Sequence, residues 1–418
     1  MEHTDYLVVG SSHAALEAIT AIRMIDPEGS LTLVTRDPEL PYSPTVLPYV
    51  VSGRSAPDSV YLRDDDFFAR NKVSYRRATA LKALHAGRST ADLSDGSCIG
   101  YRRALLATGA SPAIPPIPGI DRVDFHVLRT LADATRLNEA MKRSTKAVVL
   151  GAGLVGMHAA ENLVKAGADV TIVEMSAQLT SGYFDRIAAN LIEQAFLEAG
   201  ATIMTGKRVI GLEPGGNGTR IALDSGATLE ADLLLVATGV RPELDYLNGS
   251  GIDADRGILV DDTMRTSVEN VWAAGDCAQA RGFFTGTPIM NAILPDASIQ
   301  GRIAGMAMVD DPGIKPYPGG VPLNTYHFFG RHAISVGSSS VPEGGEEQVR
   351  FDEASGRYLR AVFDRENRLS GIFGVNEFFD GGVMAQLILR RTDLTDTRAR
   401  LFANPLATGR ELMSQIWR

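Results

Sequence analysis

KAVVLGAGLVGMHAAENLVKAGADVTIVE, residues 146–174, is the stretch that decides the fold of this chain. An apolar run from Ala147 to Leu150 predicts a buried strand, which leads into the pattern Gly-x-Gly-x-x-Gly at residues 151–156. A helix rich in small residues follows, then a second apolar strand, Val170 to Val173, and then Glu174. This order of strand, glycine turn, helix, strand and acid predicts a βαβ unit that binds a dinucleotide.

The three glycines have separate tasks in such a turn. Gly151 permits the tight turn, Gly153 lets the backbone approach a pyrophosphate at the positive helix N-terminus, and Gly156 allows helix and strand to pack closely. Glu174 can bond a ribose hydroxyl and would repel a 2′-phosphate, which favours NAD(H) over NADP(H). The alternative is a glycine-rich turn without a ligand. The residues predicted for this site are Gly151, Gly153, Leu154, Val155, Gly156, Glu174 and Gly239.

The composition is that of a globular protein of two or three domains. The chain has 418 residues, a mass of 44.7 kDa, a net charge of −9 and a pI near 5.4. This acidic balance argues against broad nucleic-acid or membrane-surface binding, and no apolar run is long enough to span a bilayer. The first predicted strand begins by Tyr6, which leaves no room for a signal peptide, so we expect a cytoplasmic protein.

The cysteines and histidines indicate neither a metal site nor a redox disulfide. Cys98 and Cys277 lie far apart in the sequence and form no CxxC pair. This excludes a cysteine-ligated iron–sulfur cluster of the chain's own and fits a reducing compartment. The seven histidines have no metal-ligand spacing, and the acidic run Asp64 to Asp66 predicts a solvated helix start rather than a metal site.

A degraded version of the same βαβ unit opens the chain. Asp5 to Gly10 predicts a buried parallel strand, which is followed by an amphipathic helix and a strand from Leu31 to Thr35. Small residues at the glycine positions still permit a close backbone approach, so both a ligand site and a simple packing turn fit the pattern. The positions of the fingerprint hold, in order, Gly10, Ser12, Ala15, Thr35 and Arg36.

Two apolar strands end in the same tripeptide. Tyr101 to Ala110 closes on Ala-Thr-Gly at 107–109, and Asp232 to Val240 closes on Ala-Thr-Gly at 237–239. Because each strand follows a glycine-turn unit, the chain contains two related dinucleotide domains. The predicted fold class is therefore α/β, with two Rossmann-like domains and a C-terminal α+β domain from about Val321 onward.

Three further segments bear on the site. Leu40 to Gly53 is rich in proline, which predicts a rigid loop wall rather than a hinge. A strand ends in Gly275-Asp276, where a carboxylate can take a sugar or ribityl hydroxyl, although a turn cap is the alternative. A helix from Ile299 to Met308 follows. The short strands predicted for the C-terminal domain are Asn324–Phe329, His332–Val336, Tyr358–Asp364 and Leu369–Phe373.

The assembled motifs resemble one family over roughly residues 5–375, the FAD/NAD(P)H oxidoreductases with two dinucleotide domains. This pyridine nucleotide-disulfide oxidoreductase-like family includes rubredoxin and ferredoxin reductases, NADH oxidases and CoA-disulfide reductases. The most specific pieces are residues 151–174, 40–49, 267–278 and 297–304. The resemblance implies an FAD domain at 1–115 and 241–320, an NAD domain at 116–240, and a C-terminal interface domain at 321–418.

The family also implies where FAD binds. The pyrophosphate would lie over residues 10–14, the ribityl chain on Asp276, and the flavin O2 edge against the helix that starts near Ala297. The nicotinamide would lie against the flavin for direct hydride transfer. The residues that the resemblance assigns to FAD are Gly10, Ser11, Ser12, His13, Ala14, Thr35, Arg36, Thr45, Ala80, Ala107, Thr108, Gly109, Gly275, Asp276, Pro295 and Ala297.

Three departures from the family pattern bear on the chemistry. Relatives that work through a cysteine carry it just before an LPY-like segment, and that place falls at Thr45, so we expect no thiol chemistry. Ferredoxin-reductase relatives carry a lysine near flavin N5 and a matching glutamate, and these places fall at Tyr49 and His158. We hypothesise that Tyr49 and His158 are a catalytic polar pair, with His158 a proton or orientation partner near neutral pH. The alternative is that Tyr49 packs as wall and His158 points to solvent. The third departure is Thr35-Arg36 in place of the ribose-binding acid. It affects the expected affinity for the adenosine part of the cofactor and does not change the expectation that the cofactor is FAD.

A narrower resemblance rests on YSPTVLPY, GLVGMHAAENL and RRTDLTDTRARLFANPLATGRELM. These segments are similar to flavin subunits of multi-component oxidoreductases, such as phenylglyoxylate dehydrogenase and tungsten-containing aldehyde oxidoreductase complexes. The resemblance implies an FAD-dependent subunit that passes electrons between NAD(H) and an iron–sulfur or other redox partner, such as an aldehyde or 2-oxoacid oxidoreductase. The alternatives are a free-standing NADH oxidase or reductase of a soluble acceptor, and an assembly subunit that binds FAD structurally. Homo- or hetero-oligomers through the C-terminal domain fit this picture.

Overall fold

The computed structural model describes residues 2–216 and 218–416. By their contacts, the residues group into two compact units. The first unit comprises residues 1–44, 58–111 and 240–320, and the second comprises residues 45–57, 112–239 and 321–418.

The helices and strands are numbered in chain order. The helices are α1 (His13–Ile25), α2 (Leu47–Val51), α3 (Asp65–Arg70), α4 (Leu131–Met141), α5 (Leu154–Lys165), α6 (Arg186–Glu198), α7 (Leu294–Met308), α8 (Gly381–Leu389), α9 (Arg398–Ala403) and α10 (Pro405–Ile416). The strands up to residue 241 are β1 (Glu2–Val9), β2 (Leu31–Val34), β3 (Val73–Arg76), β4 (Leu81–His85), β5 (Thr90–Leu93), β6 (Cys98–Leu106), β7 (Ser111–Pro112), β8 (Lys146–Leu150), β9 (Asp169–Glu174), β10 (Thr202–Thr205), β11 (Val209–Gly215), β12 (Gly218–Leu223), β13 (Thr228–Ala231), β14 (Leu233–Val236) and β15 (Val240–Arg241). The later strands are β16 (Ile258–Leu259), β17 (Val271–Ala273), β18 (Ala278–Arg281), β19 (Pro288–Ile289), β20 (Leu323–Phe328), β21 (Arg331–Gly337), β22 (Glu346–Asp352), β23 (Arg357–Phe363) and β24 (Leu369–Val375).

The first unit is built on a mainly parallel sheet in the order β3-β2-β1-β6-β5-β4. Strands β1, β2, β3 and β6 pair in parallel, and β17 pairs in parallel with residues 104–106 of β6. All four residues of β2 and the second half of β1 are buried, as expected for parallel strands covered on both faces. The order places the carboxyl ends of β1 and β6 side by side, where doubly wound sheets bind their ligands.

Helices α1 and α7 pack against each other through small residues. A Cβ atom added at Gly301 would lie 2.1 Å from the carbonyl oxygen of Ala14, and one at Gly305 would lie 2.5 Å from that of Ala18. The contact moves from Ala14 to Ala18 on α1 as it moves from Gly301 to Gly305 on α7, so the two helices run parallel. Because Gly301 is well inside α7 and Ala14 is near the start of α1, the N-terminus of α7 extends beyond that of α1.

The second unit contains a parallel sheet in the order β10-β9-β8-β14 and an antiparallel sheet of β11, β12 and β13. A third, antiparallel sheet has the order β20-β21-β24-β23-β22. The hydroxyl of Tyr358 on β23 donates to Asp185, which also caps α6, over 2.6 Å. The predicted α/β fold with two Rossmann-like parallel sheets is confirmed.

Several predicted boundaries were wrong. The helix expected at Ile299 begins at Leu294, because Pro295 lies in the first turn, where its missing N–H is no loss. The segment 40–53 is not only loop, since α2 forms there and buries Leu47, Val50 and Val51. Strand β22 was missed because only two of its seven residues, Val349 and Phe351, are apolar, which is too short a pattern to predict a strand.

Candidate dinucleotide sites

The glycine turn of the second unit follows the buried strand β8. Gly151 has φ +100°, and a Cβ there would lie 2.5 Å from the carbonyl oxygen of Ala237. A Cβ at Gly156 would lie 2.1 Å from the carbonyl oxygen of Gly151. A Cβ at Gly153, by contrast, meets no described atom within 4 Å. Packing therefore requires the first and third glycines, whereas the middle glycine leaves open space in front of α5.

The first unit repeats this geometry at its own turn. Gly10 has φ +103°, and a Cβ there would lie 2.1 Å from the carbonyl oxygen of Ala107. The N–H of Gly10 donates to Val34 over 2.8 Å, as that of Gly151 donates to Val173 over 2.9 Å. Both Ala-Thr-Gly segments thus pack their alanine carbonyl against the first glycine of a turn. This equivalence supports the inference that the two units are related.

Helices α1, α5 and α7 start without a side-chain cap. In contrast, Thr130, Asp185 and Asp380 accept hydrogen bonds from the first turns of α4, α6 and α8. The first N–H groups of a helix need an acceptor, and an anionic ligand can provide it. The uncapped starts of α1 and α5 directly follow the two glycine turns, so both turns fit a pyrophosphate.

Glu174 lies across the turn of the second unit. Its Oε2 accepts the N–H of Ala152 over 2.8 Å, and its Oε1 accepts the N–H of Ser176 over 2.6 Å. Each carboxylate oxygen keeps a second lone pair for a ribose hydroxyl. Two backbone bonds hold the group in place before any ligand arrives.

The equivalent place in the first unit is different. Thr35 is buried, and its hydroxyl accepts a hydrogen bond from Ser11 over 3.2 Å. Arg36 donates to Ser111 over 2.9 Å and pairs with Glu243 over 3.2 Å. The Ser111 hydrogen bond and the Arg36 charge lower the pKa of Glu243. A carboxylate therefore does lie near this position, but it comes from residue 243, which no local sequence pattern indicated.

Gly275 brings together the start of α1, the first turn of α7 and Asp276. A Cβ at Gly275, where φ is +78°, would lie 3.3 Å from the Cβ of Ala14 and 3.7 Å from that of Ala297. The side-chain oxygen of Gln300 accepts the N–H of Gly275 over 2.9 Å. The structure thus brings the predicted residues 10–14, 275–276 and 295–297 to one end of the parallel helix pair α1 and α7.

The remaining residues predicted for FAD are spread more widely. His13 contacts Ser43 through Nε2 at 3.0 Å, and burial lowers the pKa of this histidine. Thr108 shares a hydrogen bond of 2.9 Å with Tyr246. The N–H of Ala80 donates to Ser94 over 2.9 Å in the first unit, whereas Thr45 belongs to the second unit.

Neither cysteine is prepared for thiol chemistry. Cys277 is buried next to Asp276, and its Sγ donates to the carbonyl oxygen of Leu106 over 3.3 Å. Desolvation raises the pKa of Cys277 and also that of Cys98. Both are free thiols, and a protonated thiol is a poor nucleophile.

Tyr49 and His158 both lie in the second unit. The Tyr49 ring is 43% exposed, and the guanidinium of Arg54 lies 4.9 Å from its centroid. His158 packs edge-to-face on Tyr326, with 4.7 Å between the ring centroids. Burial lowers the pKa of His158 to about 4, the Arg54 charge acts in the same direction, and Glu161 opposes it. His158 is thus neutral near pH 7, which favours an orienting role over proton donation.

Helix α2, which carries Tyr49, is fastened to two helices of the second unit. The side-chain amide of Asn162 on α5 donates to the carbonyl oxygen of Pro48 over 3.0 Å. That of Asn138 on α4 donates to the carbonyl oxygen of Val51 over 2.8 Å. These bonds satisfy carbonyl groups of the short helix and fix Tyr49 relative to α5. Sequence reasoning missed Arg54, Asn138 and Asn162, since their partners are distant along the chain.

Within residues 2–216 and 218–416, no group of three or more His, Cys, Asp or Glu side chains could hold a metal ion. Asp64 caps α3 by accepting the N–H of Phe67 over 2.9 Å, as the solvated helix start predicted. The same ranges contain no helix that is long and apolar enough to cross a membrane.

Residues 4–295 match the sequence pattern of one family, described as pyridine nucleotide-disulphide oxidoreductase. The whole chain is 73% identical to 99% of the NADH-dependent phenylglyoxylate dehydrogenase subunit epsilon of Aromatoleum evansii. It is 28% identical to the rubredoxin-NAD(+) reductase of Pseudomonas putida over 75% of this chain and 82% of that protein. A crystal structure of a covalent putidaredoxin reductase–putidaredoxin complex matches it with a TM-score of 0.85 and 25% identity over 94% of each chain.

Proposed function

Since the chain belongs to the pyridine nucleotide-disulphide oxidoreductase family, we propose that it is the NAD(H)-linked flavin subunit of a multi-subunit dehydrogenase of the phenylglyoxylate type. In this role it passes electrons between NAD(H) and an iron–sulfur partner. The observation that carries the proposal is the 73% identity over the whole chain to a subunit of such an enzyme. The family makes the chain a flavin-dependent oxidoreductase, and its cofactors are FAD and NAD(H).

The residues for NAD(H) are those of the second unit. The free N–H groups at the start of α5 bind the pyrophosphate, which enters the open space at Gly153. Glu174 is already oriented by two backbone bonds and takes the ribose hydroxyls. Its negative charge would oppose a 2′-phosphate, so NADH is the expected nucleotide.

The residues for FAD are those of the first unit. The start of α1, with Ser11 and Ser12, holds the pyrophosphate, and Asp276 takes a ribityl hydroxyl. The uncapped start of α7 would supply positive partial charge to stabilise the negative charge that a flavin bound there gains on reduction. FAD held by these residues would supply a hydride acceptor that can release electrons one at a time, which is the chemistry needed to link NADH to an iron–sulfur centre.

Tyr49 and His158 are proposed to line the nicotinamide end of the NAD(H) site. Tyr49 offers a partly exposed ring and hydroxyl, which the Asn162 bond to Pro48 fixes relative to α5. His158, neutral and packed on Tyr326, can orient a polar group by hydrogen bonding but does not carry a proton to it at pH 7. Arg54 supplies a positive charge near both side chains.

The absence of a prepared thiol supports electron transfer to a separate partner. In the described part of the chain, both cysteines are protonated and unpaired, so electrons do not leave through a disulfide. A partner with one-electron centres suits a flavin, because a flavin can release its two electrons one at a time. We propose a cytoplasmic location, because free thiols and NADH both fit a reducing compartment.

Purification of the native complex tests this proposal. The chain, isolated from its host under mild conditions, should bring with it other subunits that contain iron–sulfur clusters. The attached chains would be identified by mass spectrometry, and their iron and acid-labile sulfide would be measured. Recovery of the chain alone, with rapid NADH turnover by oxygen, would instead indicate a free-standing NADH oxidase. Bound FAD that NADH does not reduce would indicate a structural FAD-binding subunit.

A further inference from the structure

The first turn of α7 contains a buried carboxyl group that the proposed function does not use. Asp296, the third residue of α7, is only 6% exposed. Its Oδ2 accepts a hydrogen bond from the side-chain amide of Asn291, and the Tyr317 hydroxyl also bonds to it. A Cβ added at Gly320 would lie 2.8 Å from this oxygen and 2.7 Å from the Asn291 amide nitrogen, so the group is tightly enclosed.

A polar network joins Asp296 to the turn that carries Asp276. Gln300 lies one turn further along α7, where its amide donates to the Tyr317 hydroxyl over 3.4 Å and its oxygen accepts the N–H of Gly275. Asn291 and Gln300 are neutral, and desolvation raises the pKa of Tyr317 above its usual range, so its hydroxyl also stays neutral. Asp296 is therefore the member of this network whose charge changes near physiological pH.

Two opposite effects act on the Asp296 carboxyl. The helix N-terminus and the hydrogen bonds from Asn291 and Tyr317 favour the ionised form. Burial favours the neutral form, and it is the larger effect, because it raises the pKa of Asp296 to about 6. A small change in the local field is thus sufficient to change its protonation state at pH 7.

We propose that Asp296 takes up a proton from solvent when the flavin is reduced, and that it thereby sets the reduction potential of FAD. The inference rests on the FAD site of the proposed function. Ionised Asp296 cancels the positive field of the α7 N-terminus, whereas neutral Asp296 leaves that field free to stabilise negative charge. Added negative charge at this helix end in turn makes the carboxyl easier to protonate, because the two effects are linked.

The charges and electrons balance. Hydride transfer converts NADH to NAD⁺ and leaves one added negative charge on the reduced flavin. One proton from solvent then joins the Asp296 carboxylate. When the iron–sulfur partner removes the two electrons singly, the proton gained as hydride and the proton on Asp296 both return to solvent.

The test is the midpoint potential of the bound FAD, measured by spectroelectrochemical titration from pH 5 to 8.5 (a range that brackets a pKa near 6). The holoprotein, Asp296→Asn, and an exposed control in the same unit, Asp253→Asn, would be compared. Between about pH 6 and the higher pKa of Asp296 in the reduced protein, the parent should take up more protons than Asp296→Asn, by at most one per two electrons. The potential of Asp296→Asn should exceed that of the parent at pH 8 and meet it at pH 5, whereas Asp253→Asn should follow the parent. Coinciding curves for the parent and Asp296→Asn would overturn the inference.

A second variant covers the case in which Asp296→Asn does not fold. Asn291→Ala removes a hydrogen bond that lowers the pKa of Asp296. The pH range in which the midpoint potential of FAD falls most steeply should therefore begin at higher pH than in the parent. A steep part that stays in place would also contradict the inference. If NADH reduces the bound FAD but the potentials of the parent and the variants coincide at every pH, this inference is wrong and the proposed function stands. A protein without FAD defeats the proposed function as well.

Discussion

The carboxylate of Glu174, which we propose binds the ribose of NADH, is held in position without a ligand. Its two backbone hydrogen bonds hold the carboxylate across the glycine turn. Glu174→Gln should raise the KM for NADH roughly 10- to 100-fold, since a hydrogen bond to a charged group contributes about 1.5–3 kcal/mol. The preference for NADH over NADPH should fall as well, because the repulsion of a 2′-phosphate is lost. Steady-state kinetics with both nucleotides measure these changes.

The control for this prediction is Glu213→Gln, an exposed glutamate of the same unit. This variant should keep the kinetics of the parent. An unchanged KM in Glu174→Gln would remove Glu174 from the site.

His158 makes the stability of the folded chain depend on pH. Its folded pKa of about 4 lies below the unfolded value of about 6.5, so the unfolded chain binds the proton first as the pH falls. The contribution of neutral His158 to the free energy of unfolding is fully present above the pKa of the unfolded chain. It is lost as the pH falls toward the pKa of the folded chain. Between pH 7 and 5 this loss amounts to about 2 kcal/mol. Because glutamine does not titrate, the free energy of unfolding of His158→Gln should rise by about 2 kcal/mol relative to that of the parent between pH 7 and 5.

Urea unfolding at each pH measures the difference, with His3→Gln, an exposed histidine, as the control for loss of an imidazole. A constant difference between His158→Gln and the parent would show that His158 is not buried as described. Flavin reduction by NADH should also show no step from His158 protonation between pH 6 and 8.

In the glycine turn of the second unit, one glycine is required for packing and another leaves room for the proposed ligand. Gly153 has φ −72°, and a Cβ there meets no described atom within 4 Å. Gly153→Ala should therefore leave the free energy of unfolding nearly unchanged but weaken NAD(H) binding at least about 10-fold, because the methyl group would occupy the space proposed for the pyrophosphate. Isothermal titration with NAD⁺ and urea unfolding measure the two effects.

The matched variant is Gly151→Ala in the same turn. Gly151 has positive φ and no room for a Cβ beside Ala237, so this change should lower the free energy of unfolding by about 2 kcal/mol or more. Equal effects of the two substitutions on stability would contradict the separate tasks of the two glycines.

The elements that the sequence predicted best are those with strong local patterns. The unit from Lys146 to Glu174 has an apolar strand, spaced glycines and a second strand, so neighbouring residues determine it. The start of α7 was predicted too late in the chain because the proline in Leu294-Pro295 favours a loop when only neighbouring residues are considered. Glu243 beside Arg36, and Asn162 beside Pro48, depend on contacts between residues far apart in the chain, which no local pattern contains.

The organisation of the whole molecule follows from an internal repeat. Gly10 with Ala107, and Gly151 with Ala237, make the same turn-to-strand contact in the two units. The Ala-Thr-Gly echo made this repeat predictable from sequence. The nucleotide that each turn binds, and the roles of Tyr49 and His158, remain predictions, because they concern ligands rather than contacts within the chain.

We propose that this chain moves electrons between NADH and a one-electron partner through FAD. Anaerobic stopped-flow mixing of the purified holoprotein with NADH, followed by a one-electron acceptor such as ferricyanide, tests this proposal. The flavin absorbance should bleach within the turnover time and return on addition of the acceptor, faster than it returns with oxygen. A flavin that keeps its oxidised spectrum in the presence of NADH would contradict the claim.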